Sequence, residues 1–131
     1  MNGTAMEEAF VATDQPERVG REQFARGNYA LAERYFQSAV EAEPGNGDGW
    51  LGLAASYDQL GRFDLADRAY GQAVKIKGQT PQVLNNRGYS YLLRGDRAQA
   101  ERYFRRARSI NPNDPTINNN VALTRLAPPN L

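Results

Sequence analysis

Shifted against itself by 34 residues, this chain of 131 residues returns to register three times. Gly27, Gly61 and Gly95 coincide, as do Ala32, Ala66 and Ala100, and Ala39, Ala73 and Ala107. Phe36, Tyr70 and Phe104 share one column and Arg34, Arg68 and Arg102 another, while Gly20, Ala54 and Gly88 keep a small residue in a third. Tyr57 falls on Tyr91, and Pro44 stands two periods before Pro112. A fixed period of this length excludes most folds. It describes units too small to bury an apolar face alone, each covered by its neighbours in a stack.

Each period reads as two helices and two turns. In the middle one, Trp50, Leu53, Ala54 and Tyr57 recur at helical spacing on one face. Gly61 is placed to end that helix in a left-handed conformation. Asp64 is placed to cap the next, whose face is Ala66, Ala69, Tyr70, Ala73 and Val74. Breaks fall at 44–47, at Gly78 and Pro81, and at 111–115. The expected organisation is an arm over 1–12, units over 13–46, 47–80 and 81–114, a capping helix over 115–127 stopped by Pro128 and Pro129, and a tail over 128–131. Met6, Ala9, Phe10 and Val11 give the arm two readings: the start of an early helix, or a free segment. The fold expected is all-α.

The chain has no cysteine and no histidine. Disulfides, Cys/His zinc sites, histidine-held haem, Ser-His-Asp triads and Cys-His dyads are thereby excluded. The acids lie scattered on helix surfaces, and no phosphate-binding glycine loop is present. The expectation is a non-enzyme with no cofactor, no metal and no small-molecule substrate. No apolar run approaches the ~18 residues of a membrane span, and residues 1–10 lack the pattern of a secretion signal. The compartment stays open between the cytoplasm and a periplasm reached with a signal or lipid anchor since removed. Charge is balanced in total, at +1, and uneven in place. The first unit and arm carry eight acids against four arginines, whereas the third unit carries seven arginines against three acids.

The pattern resembles the tetratricopeptide repeat (TPR) family. The family's W-x2-L-G-x2-Y, A-x3-F and A-x4-P elements are matched by Trp50, Leu53, Ala54, Tyr57, Ala66, Tyr70 and Ala73. They are matched again by Leu84, Gly88, Tyr91, Ala100, Phe104, Ala107 and Pro112. The first copy is weaker at its front, with Val19, Gly20 and Gln23, and sound at its back, with Ala32, Phe36, Ala39 and Pro44. The resemblance implies a right-handed α-solenoid of three repeats plus a C-terminal capping helix. Arg87 departs from it, standing where the other units carry Val19 and Leu53. Its guanidinium is expected to snorkel to water, or to pair with Asp64 or Asp67. Arg125 departs too, in the column of Tyr91, as suits a polar end cap. The stretch from Asn85 to Ser90 is similar to TPR lipoproteins of the tight-adherence (Flp-type) pilus machinery.

Family resemblance also implies that the first helix of each unit lines a concave wall. With Leu84, Gly88 and Tyr91 on the packing seam, Gln82, Asn85, Asn86, Tyr89 and Leu93 point elsewhere. Asn119 and Asn120 repeat Asn85 and Asn86 one period on. Asparagine is a middling helix former, and an amide both donates and accepts. These asparagines either clamp the backbone of a bound peptide, bond between neighbouring helices, or lie merely exposed. Leu51, Ala55 and Gln59 occupy the corresponding face of the second unit, and Arg21 that of the first. Asp48 and Asp58 are expected near this wall and lysine is not, which speaks against an acidic C-terminal tail as ligand. The expected partner is a protein or peptide. Homo-oligomerisation through the charged ends or the last helix is the alternative. Nucleic-acid binding by Arg94, Arg97, Arg102, Arg105, Arg106 and Arg108 is disfavoured by the near-zero net charge and a pI of about 8.0.

Overall fold

The computed structural model describes residues 9–126. These residues form helices in antiparallel pairs, with no strand among them: α1 (Pro16–Ala25) and α2 (Tyr29–Ala42), α3 (Gly47–Gln59) and α4 (Phe63–Lys77), α5 (Pro81–Leu93) and α6 (Arg97–Ile110), then a single α7 (Pro115–Leu126). Pro16, Pro81 and Pro115 open their helices at the position where a missing N–H costs nothing. Asn46, Thr80 and Asp96 accept from the backbone N–H of Gly49, Val83 and Gln99, capping α3, α5 and α6. Asp64 does not cap α4. Arg62 holds that position with no side-chain bond, and Asp64 sits in the first turn, where its charge still favours the helix dipole.

One turn is used three times. Gly27, Gly61 and Gly95 have φ of 82°, 73° and 84°, the left-handed geometry that lets the chain reverse after α1, α3 and α5. The following N–H of Asn28, Arg62 and Asp96 reaches back to the carbonyl of Gln23, Tyr57 and Tyr91 at 2.8–2.9 Å. That bond is the one a helix-ending glycine makes available.

The main core runs through the first two pairs and reaches Val83 at the start of α5. Its centre is the Phe36 ring of α2, which lies against Gly20 of α1 and Gly52 of α3. The third pair repeats half of this device, with Phe104 against Gly88. Tyr70 is the equivalent ring of the second pair, but Asn86 stands where Gly52 would be. The contact of α4 with α5 is accordingly thinner than that of α2 with α3.

Residues 9–15 are not helical. Phe10 packs on the Tyr35 ring at 4.7 Å, the Arg34 guanidinium also lies over the Phe10 ring, and the Val11 N–H donates to the Tyr35 hydroxyl at 2.9 Å. The described part of the arm is therefore an extended strap on α2, neither an early helix nor a free segment. Met6 and the tail over 128–131 lie outside the described residues.

Gly52→Ala should be destabilising by about 1–3 kcal/mol, because its methyl group would overlap the Phe36 ring. Gly71→Ala, on the exposed side of α4 with open space around it, should add about 0.5–1 kcal/mol. Urea denaturation of the two variants beside the parent chain reads both.

Candidate functional site: a groove along the first helices

Helices α1, α3 and α5 lie side by side, and a groove of about 560 Å³ runs across them. Leu51 is buried in its floor, and Phe24, Ala25 and Ala55 line it beside Leu51. The edge of the Phe36 ring shows through because Gly52 has no side chain to cover it. Gln82 and Asn86 of α5 supply amides on one side, and Glu17 and Arg21 of α1 stand on the other. The Asn86 side chain makes no hydrogen bond among the described residues, so its donors and acceptor remain available to an occupant.

The expected wall residues divide into three groups. Leu51, Ala55, Gln82 and Asn86 come together in the groove. Asn85 lines a second hollow of about 480 Å³ with Gln82, Thr80, Asn111, Asp114 and Ile117. Its Oδ1 accepts from Nδ2 of Asn120 at 2.9 Å, a bond between α5 and α7. Gln59, Tyr89 and Asn119 stand outside the groove lining. Tyr89 and Asn119 are exposed and Gln59 is half-buried.

Three wall residues not singled out beforehand follow from the repeat period. Glu17 falls one period before Leu51, and Ala25 one before Gln59. Gly52 occupies the column of Asn86. Lys77 could not be found this way. It lies at the C-terminus of α4, and only the folded chain brings it to the wall, where its Nζ meets Asp48 Oδ1 at 2.6 Å. The expectation that lysine is absent from this wall is therefore wrong. Arg21 is likewise paired, to Glu17 one turn away.

Asp58 does not face the groove either. It is buried to 4 % exposure beneath the α3–α4–α5 seam. Its carboxylate accepts from the Tyr70 hydroxyl at 2.7 Å and the Ser90 hydroxyl at 2.6 Å. The Tyr70 oxygen also lies 3.2 Å from the carbonyl of Asn86, which ties this network to the groove wall. Arg94 donates to Ser90 Oγ at 2.7 Å and to both oxygens of Asp67, and its guanidinium lies over the Phe63 and Tyr91 rings at 4.9 and 4.5 Å. Asp67 is thus the partner of Arg94 and not of Arg87. The Arg87 guanidinium lies over the Tyr103 ring at 5.0 Å, half-buried.

Two sequence profiles described as the tetratricopeptide repeat match residues 23–85 and 81–114, most of the chain between them. The chain belongs to the tetratricopeptide repeat family. Among solved structures, the TPR chain resembles the second TPR domain of human RPAP3 in complex with an HSP70 peptide (TM-score 0.72, 17% identity, 86% of this chain and 93% of that one). It resembles the Yersinia enterocolitica type III secretion chaperone SycD in complex with a peptide of the translocator YopD (0.69, 22%, 88% and 95%). It also resembles Pseudomonas aeruginosa pilF (0.73, 24%, 86% and 52%). Among curated proteins, the cytochrome c-type biogenesis protein CycH of Bradyrhizobium diazoefficiens is 34% identical over 82 residues, or 60% of this chain and 22% of CycH. Human tetratricopeptide repeat protein 7B is 27% identical over 92 residues, or 70% of this chain and 11% of that protein. The chain therefore spans only about a fifth and a tenth of these two relatives.

Burial raises the Asp58 pKa above 3.8, against the opposing pull of its bonds from Ser90 and Tyr70 and of the Arg94 charge. Between that value and the raised one, the folded chain holds a proton that the unfolded chain has released. Stability contributed by this group is thus lost as pH rises through the window. Subtracting the pH–stability profile of Asp58→Asn from that of the parent should leave a downward slope there. Asp58→Ala should cost about 1–3 kcal/mol by removing the acceptor that the buried Tyr70 and Ser90 hydroxyls share, read by urea denaturation at neutral pH.

Proposed function

We propose that this TPR domain is a non-enzymatic protein-interaction scaffold that seats a partner peptide across α1, α3 and α5. The single observation carrying the reading is the groove itself: an apolar floor of Leu51, Ala55, Phe24 and Phe36 beside the unbonded Asn86 amide. An apolar floor supplies the affinity, and an amide on its rim pairs with a peptide backbone whatever its side chains. That neighbours of the same fold are held in complexes with HSP70 and translocator peptides supports the reading. Asn86 is the contact residue in this account, whereas Asn85 and Asn120 serve the wall by bonding to each other. Gln59, Tyr89 and Asn119 extend the surface beyond the floor. A place in bacterial pilus or secretion assembly is the finer reading, and it rests on the likeness of the Asn85–Ser90 stretch to tight-adherence lipoproteins.

Self-association through the charged ends is a second reading, favoured by the acid-rich first unit and arginine-rich third. Light scattering at low and high salt tests it, and a monomer throughout rejects it. Nucleic acid fits less well. Arg94 and Arg105 are engaged by Asp67 and Glu101, and Tyr103 is covered by Arg87 and Arg106 and stacked on Tyr91.

A photo-crosslinking residue at Gln59, beside the floor, should trap a partner from native lysate. The same residue at Gly71 on the far side of α4 should not, and equal labelling at both would reject the groove. Asn86→Ala should weaken the captured complex by about tenfold with the thermal midpoint nearly unmoved. Asn120→Ala should instead cost about 0.5–1.5 kcal/mol of stability.

A further inference from the structure

The groove lining holds two cations and two acids, and each cation is held by one of the acids. Arg21 bonds Glu17, and Lys77 bonds Asp48 at 2.6 Å. Neither pair is deeply buried, so neither contributes much to folding. Their effect on a ligand is different. A carboxylate entering the groove gains no free cation and meets two acids already in place. A cationic side chain gains nothing net for the same reason. What the groove offers without opposition is apolar area and amides.

That apolar area continues past the groove. One period after Ala55 comes Tyr89, and one period later Leu123, both on first-helix positions and 41% and 49% exposed. Leu93 lies one turn beyond Tyr89 and is 39% exposed. The repeat period therefore places two apolar stations along the α1–α3–α5–α7 wall: the floor around Leu51 and Ala55, and the exposed Tyr89 and Leu93 of α5 with Leu123 of α7. Asn86 and Gln82 stand on α5 beside the first station.

Resting on the peptide-scaffold reading above, we infer that the occupant is an uncharged internal segment with two apolar anchors, and that Glu17 and Asp48 act as specificity residues that turn acidic tails away. The acids do so by neutralising Arg21 and Lys77, a repulsive element beside the attractive floor.

The test uses two immobilised heptapeptide libraries. One is N-acetylated and C-amidated and randomised over uncharged residues. The other has a free C-terminus with Asp or Glu fixed at its last two positions. The parent chain should retain members of the first only, with Leu, Ile, Met or Phe enriched at two positions. Their affinity should change less than twofold between low and high salt, because no counterions are exchanged. Tyr89→Ser and Leu123→Ser, both at exposed sites, should weaken the retained peptides several-fold. The double variant Glu17→Gln with Asp48→Asn keeps the shapes, frees both cations and should acquire the acidic library. Retention of the acidic library by the parent, or no gain by the double variant, overturns the inference while leaving a peptide groove standing. Retention of neither library by any of these proteins overturns the groove reading itself.

Discussion

Everything in this fold hangs on how closely an aromatic ring can approach a neighbouring helix. Phe36 presses on α3 at Gly52, where any side chain would overlap the ring, and on α1 at Gly20, where a methyl group would already be tight. Phe104 does the same to α5 at Gly88. A ring seated on a helix backbone fixes both separation and angle, because the interior is close-packed and neither side can yield. Of these sockets Gly20 and Gly88 belong to a small-residue column of the 34-residue period, with Ala54 between them, whereas Gly52 stands in the column of Asn86. The exposed floor of the groove is a by-product: without a side chain on Gly52, the Phe36 ring is reachable from the concave side.

The second seam solves the same problem differently. There the ring is Tyr70 and the socket is filled by Asn86, so α5 stands off from α4. The space left is polar, and each group in it requires a partner. Asp58 takes a column that is Phe24 and Leu92 elsewhere, and it satisfies both the Tyr70 and the Ser90 hydroxyls. Arg94 closes the set through Ser90 and Asp67. A buried network of this kind adds little net stability over an apolar fill, but it tolerates only one register between the second and third pairs. The groove-lining Asn86 is then held by the seam as well as by its own helix, since its carbonyl lies against the Tyr70 hydroxyl.

The fold was legible because a repeat imposes one solution several times over, and Gly61, Phe36 and Ala73 speak for their counterparts. The site was legible only in part. Leu51, Ala55, Gln82 and Asn86 could be placed on the wall from helical phase once the family resemblance had put the first helices there. Lys77 could not, because it reaches the groove from the end of a second helix, where α4 runs one residue past its counterparts. Asp58 was misplaced because helical phase says which face a residue lies on, not whether the next unit covers that face. Asn85 and Asn120 had three readings at the same spacing, and only the folded chain distinguishes an amide facing its neighbour from one facing open space. Arg87 was expected to reach water or else a carboxylate and lies over a ring, a partner that charge patterning does not register.

The two ion pairs in the groove illustrate why stability and recognition must be argued separately. A pair this exposed contributes at most about 1 kcal/mol to folding, since water screens it in both states. A ligand that displaces the water removes that screening, and the same four charges then act on it through a medium of lower effective dielectric. Changes at Glu17 or Asp48 can therefore be nearly silent in a melting curve and still decide which polypeptide is accepted. The fold constrains them by geometry: α1 must place Glu17 one turn from Arg21, and α4 must end where Lys77 can reach α3.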